Sequence, residues 1–151
     1  MRSQSLRILL IDDNRHGLIA RRSVLEELGH KVSVAPGGQD GIDQFAATPF
    51  DVVVTDYRMP GVTGQQVIRK IRQQSPRTPI VLLSGYVEAL GLTARETGAD
   101  VVLSKGPKEV QELVRVIARL TQKKGAARPK PPGSAPTPQK TRARASSRKA
   151  G

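Results

Sequence analysis

The 151-residue chain contains no cysteine and no tryptophan. The first absence removes disulfides, thiolate metal sites and cysteine nucleophiles from consideration, and it fits a reducing compartment. With only two Phe and two Tyr, any core must be aliphatic. No apolar run approaches the ~18 residues of a membrane span. The run Leu6–Ile11 is too short for a signal-peptide core and stops at Asp12-Asp13, where a cleavage site would be needed. A soluble, cytoplasmic chain is expected. Acid is missing from one end: residues 121–151 hold nine Lys+Arg and no Asp or Glu, whereas residues 1–120 hold 16 against 13. The net charge of +12 therefore divides into +3 and +9.

This asymmetry suggests a short extension (1–5), a nearly balanced domain (6–120) and a basic tail (121–151). The tail is rich in Pro, Ala and Ser and has no large aliphatic residue after Leu120. It cannot bury enough apolar surface to order itself. Two readings of it stand: a solvated tail without a specific partner, or an electrostatic arm for non-specific contact with nucleic acid or another polyanion.

Within the domain, short Val/Ile/Leu runs alternate with segments of helical period. Strands are expected at Leu6–Ile11, Lys31–Ala35, Phe50–Thr55, Pro79–Leu83 and Asp100–Ser104. Val52-Val53-Val54 and Ile80-Val81-Leu82-Leu83 do not alternate with polar residues, as befits strands covered on both faces. Helices are expected from Arg15 to Gly29 with Asn14 as N-cap, around Ile42 and Phe45, and around Val67, Ile68 and Ile71 after a Thr63/Gln66 capping box. Two more are expected over Tyr86–Thr97 and from Pro107 to about Gln122, with Pro107 at the first helical position. Five strand–helix repeats joined by right-handed crossovers give a doubly wound α/β fold, a five-stranded parallel sheet with helices on both faces. Reactive groups in such folds gather beyond the carboxyl ends of the strands.

Those ends carry Asp12-Asp13 (first strand), Asp56 (third), Ser84 (fourth) and Lys105 (fifth). Taken singly, the acid pair reads as a helix start, Asp56 as a turn residue, Ser84 as a loop hydroxyl and Lys105 as a solvated charge. Their coincidence on one rim argues for chemistry. Three carboxylates brought together raise one another's pKa values unless a cation intervenes. Mg²⁺ suits a few carboxylate oxygens and still contacts phosphate. Phosphoryl transfer to a carboxylate needs mainly positioning and charge stabilisation, which Lys105, Ser84 and the metal would supply. His16 and His30 read as ordinary surface or interface residues, and Gly37-Gly38 as a loop without a phosphate cradle.

The chain resembles the receiver domain of two-component response regulators. The resemblance rests on Ile8-Leu9-Leu10-Ile11-Asp12-Asp13-Asn14, Asp56-Tyr57-Arg58-Met59-Pro60-Gly61-Val62-Thr63-Gly64, Leu82-Leu83-Ser84-Gly85-Tyr86, and Gly98-Ala99-Asp100 before Lys105. It covers residues 6 to about 120 and implies a CheY-like strand order 2-1-3-4-5. It also implies Asp56 as phosphoacceptor from a histidine kinase or histidine phosphotransfer protein, not an enzyme in the ordinary sense. Mg²⁺ would sit on Asp13, Asp56 and the Arg58 backbone carbonyl, with Asp12 acting mainly through water. Departures from the family are Gly106 between Lys105 and Pro107, and Val102 where an aromatic often stands. A stand-alone receiver signalling to a downstream protein is the leading expectation. A pseudo-receiver that signals by contact alone, and a polyanion binder regulated by its receiver, are the alternatives. A phosphatase fits worse, because the acids are adjacent rather than spaced as D-x-D.

Overall fold

The computed structural model describes residues 4–126, with side-chain surroundings through residue 122. The basic arm expected of the tail lies almost wholly outside these residues. Five parallel strands, β1 (Arg7–Ile11), β2 (Lys31–Ala35), β3 (Val52–Asp56), β4 (Ile80–Ser84) and β5 (Val101–Ser104), form one sheet in the order β2-β1-β3-β4-β5. This is the doubly wound sheet expected from the repeat pattern.

The sheet separates two apolar layers, and alternation along each strand decides which side chain enters which. Ile8, Leu10, Val52, Val54, Val81 and Leu83 face Leu18 and Leu25 of α1 (Arg15–Glu27) and Leu113, Val116 and Ile117 of α6 (Glu109–Ala126). Leu9, Ile11, Val53, Ile80 and Leu82 face the other way. They meet Val67, Ile68 and Ile71 of α3 (Gly64–Gln74), with Ile42 and Phe45 of α2 (Gly38–Ala47) packed alongside. β3 and β4 are buried at every position, so their sequences have no polar face to display.

Local signals decide most boundaries. Asn14 accepts the Gly17 N–H and caps α1, and Gly29 follows the helix at φ 98°. Thr63 and Gln66 form the reciprocal capping box that starts α3.

The segment expected as one helix, Tyr86–Thr97, is instead two single turns, α4 (Val87–Leu90) and α5 (Ala94–Thr97). Gly91 caps the first at φ 62°, a left-handed conformation that ends a helix. Thr93 begins the second by accepting the Glu96 N–H. Pro107 is not the first residue of the last helix either. Glu109 N–H bonds the Gly106 carbonyl at 3.1 Å, so Pro107 is the second residue of a turn, a position its fixed φ also favours. At its far end α6 runs through Ala126, past the point where the apolar stripe stops. Adding a residue to a formed helix is easier than nucleating one, and Thr121 still packs there, its hydroxyl donating to the Ile117 carbonyl at 2.7 Å. No helix among the described residues is long and apolar enough to cross a membrane.

Candidate functional site

The carboxyl ends of β1, β3, β4 and β5 open into a cavity of about 520 Å³ lined by Asp12, Asp13, Asn14, Asp56, Arg58, Ser84, Gly85, Tyr86 and Lys105. Every side chain singled out at the strand ends is here. Asp56 and Ser84 are the last residues of β3 and β4, while Asp12-Asp13 and Lys105 lie just beyond β1 and β5. The parallel register brings them together: Asp56 stands beside Leu83, and Ser84 beside Ser104.

Lys105 is the hub of this arrangement. Its Nζ lies 3.0 Å from Asp56 Oδ1 and 3.1 Å from Asp12 Oδ2. Asp12 and Asp56 are buried, whereas Asp13 is exposed. Ser84 is buried too, and its Oγ accepts the Tyr86 N–H at 2.9 Å. Arg58 stacks over the Tyr86 ring, 4.6 Å from its centroid, so the two side chains form a lip on the cavity. Tyr86 is half exposed, and Val102 packs in the layer below the sheet.

Burial and neighbouring charge divide the two buried acids. Burial pushes Asp56 up to about 6, the Asp12 charge adds to the rise, and Lys105 and the Tyr57 N–H oppose it. Burial also works to raise Asp12. There the Asn14 N–H, Lys105 and Arg21 more than offset it and hold the carboxyl below its ordinary value. Lys105 would be lowered by burial, but its two carboxylate partners raise it instead.

Because Asp56 binds a proton more readily folded than unfolded, stability without metal falls as pH rises from about 4 to about 6, then levels. Asp56→Asn removes that penalty. It is expected to be more stable than the parent by about 1–2 kcal/mol at pH 7, with the gap closing toward pH 4. Urea unfolding midpoints across this range check it; a gap independent of pH would contradict the account.

The donor set suits a hard divalent cation. Asp12, Asp13 and Asp56 each offer a carboxylate oxygen, and these oxygens lie within 4.8 Å of one another. Burial first, and then the Asp12 charge, raise Asp56 beyond what Lys105 offsets. Oxygen ligands of this kind fit Mg²⁺.

Sequence reasoning missed Arg21 and Glu109. Arg21 falls on the apolar face of α1 yet is buried, with Nη1 2.9 Å from Asp12 Oδ2 and Nε 2.6 Å from Glu109 Oε2. The signal was present, since the spacing of Leu18, Arg21 and Leu25 puts a charge on a core stripe. His30 is half-buried, and its Nδ1 accepts the Leu6 N–H at 3.1 Å before β1; burial lowers its pKa.

This sheet order, with acids, hydroxyl and ammonium converging past the strand ends, defines a class of signalling domain. The chain belongs to the response regulator receiver domain family, which it matches over residues 8–118. It is 34% identical over 119 residues to the aerobic respiration control sensor protein ArcB of Escherichia coli (strain K12). That match spans 77% of this chain but only 15% of ArcB. Among solved structures, a response regulator receiver domain protein from Clostridium thermocellum is similar at 29% identity and TM-score 0.71, covering 80% of this chain and 98% of the other. The receiver domain of the sensor histidine kinase PA1611 from Pseudomonas aeruginosa, with magnesium coordinated in its active site cleft, is similar at 25% identity and TM-score 0.71, covering 79% and 99%.

Proposed function

We propose that the chain is a phosphoacceptor in a two-component relay, taking a phosphoryl group on Asp56 from a histidine kinase or histidine phosphotransfer protein. The observation that carries the reading is the Lys105 ammonium 3.0 Å from Asp56 Oδ1, within a pocket shared with two further carboxylates.

An Asp56 carboxylate oxygen attacks the phosphorus of a donor phosphohistidine. The new O–P bond forms as the N–P bond breaks, the electron pair stays on the imidazole nitrogen, and that nitrogen takes a proton from solvent. An aspartyl phosphate remains. Transfer of this kind depends on positioning and charge neutralisation more than on covalent work by the protein. Lys105 leaves its place between two carboxylates to hold one phosphoryl oxygen, and the Ser84 hydroxyl donates to another. Asp13, Asp56 and the Arg58 carbonyl would hold Mg²⁺, with Asp12 acting through water; the cation supplies charge neutralisation for the transferring group. The magnesium in the PA1611 receiver supports this assignment. Phosphorylation then changes protein contacts downstream.

Incubating the full chain with a small phosphoramidate and Mg²⁺ should add a single phosphoryl group, read by intact mass, and none to Asp56→Ala. Equal labelling of the two proteins would end the proposal.

A further inference from the structure

Arg21 is a buried cation behind the acid pocket, reaching it through Asp12. Its side chain is 5% exposed, and a guanidinium does not lose its proton in a protein. One turn earlier, Gly17 makes room for it: a Cβ there would lie 3.1–3.3 Å from three guanidinium atoms. Nη1 donates to Asp12 Oδ2, and Nε to Glu109 Oε2 in the first turn of α6. A buried charge is tolerated where it is paired on more than one side, and here both partners are carboxylates.

Asp12 is thereby largely occupied by the protein itself. Oδ2 receives both Arg21 and Lys105, and Oδ1 receives the Asn14 N–H at 2.9 Å. A carboxylate has about four acceptor sites, so three are engaged before any metal arrives. Asp13 is exposed, and among the described residues the side-chain cation paired with Asp56 is Lys105, at 3.0 Å.

We infer that Arg21 is a positioning residue of the pocket: it holds Asp12 as an internal counter-cation, confines direct contact with a divalent cation to Asp13 and Asp56, and sets how weakly that cation is held. Glu109 tunes the effect by sharing the Arg21 charge, which links the start of α6 to the metal affinity of the pocket. The inference rests on the metal-assisted phosphoacceptor reading above.

Mg²⁺ binding to the full chain, read by calorimetry and by fluorescence of Tyr57 and Tyr86, tests it without recourse to phosphorylation. Arg21→Met removes a unit charge a few ångströms from the pocket and should tighten Mg²⁺ binding at least tenfold. Arg21→Lys keeps the charge and should stay within about threefold of the parent. Glu109→Gln leaves the Arg21 charge unshared and should weaken binding about threefold. A pair that merely fastens α1 to α6 would lower the thermal midpoint in Arg21→Met and Glu109→Gln and change Mg²⁺ affinity in neither, which overturns the inference alone. If Arg21→Met does not fold, Glu109→Gln decides: weakened Mg²⁺ binding beside an Arg21→Lys that matches the parent supports the inference, and parental affinity in Glu109→Gln overturns it. Should the parent and Arg21→Met both bind no Mg²⁺, the phosphoacceptor reading fails and this inference with it.

Discussion

Lys105→Met is expected to take up phosphoryl about a hundredfold more slowly than the parent, yet to bind Mg²⁺ at least as tightly. The magnitude is that of removing one preorganised charge from a transferring group. The sign for metal follows from the pocket, where Lys105 Nζ stands 3.0 Å from Asp56 and 3.1 Å from Asp12 and competes for both carboxylates. Among the described residues, its removal leaves Arg21 on Asp12 and no side-chain ion pair on Asp56. Burial and the Asp12 charge already lift the Asp56 carboxyl to about 6, and Lys105 works against that rise. Without the ammonium the carboxyl climbs further, so the folded variant binds a proton more avidly than its unfolded chain does. The variant should therefore be less stable than the parent at pH 7, and the deficit should shrink as pH falls or as Mg²⁺ is added. Labelling kinetics paired with urea unfolding at pH 5 and pH 7 separate the effects. A labelling rate within threefold of the parent would remove Lys105 from the chemistry.

How much could be read in advance depended on the range of the interactions. The sheet was legible because Val52-Val53-Val54 and Ile80-Val81-Leu82-Leu83 have no polar face, a pattern that only two-sided burial explains. Asp12, Asp13, Asp56, Ser84 and Lys105 were legible for a topological reason: a parallel sheet collects its strand ends on one rim, whatever the side chains are. Pro107 misled because its fixed φ serves a turn as well as a helix start. Gly91 carried the information that splits Tyr86–Thr97, but a lone glycine in a weakly periodic stretch does not announce φ 62°. Arg21 was hidden for a deeper reason. A long cation on an apolar stripe usually reaches along the surface to water. Of the two carboxylates that keep this one inside, Asp12 lies nine residues before it across a strand end, and Glu109 lies 88 residues away and meets it only in the completed fold.

Gly64→Ala is expected to cost about 3 kcal/mol and most of the phosphoryl uptake. Gly64 opens α3 and returns the chain against the end of β3, its N–H donating to the Tyr57 carbonyl at 2.9 Å. A Cβ at this position would overlap the Asp56 carbonyl oxygen and lie 2.9 Å from the Tyr57 Cα. These are backbone atoms, whereas at Gly41 a Cβ would meet side-chain atoms of Ile11. Relief requires either α3 to withdraw from the sheet or Asp56 to shift. The first disturbs Val67, Ile68 and Ile71, all fully buried. The second moves the carboxylate away from Lys105. Both consequences are measurable in one protein, by the urea midpoint and by labelling of whatever fraction remains folded. Since the clash falls on the residue proposed to take the phosphoryl group, a folded Gly64→Ala domain that labels at the parent rate would show that the site tolerates a displaced Asp56.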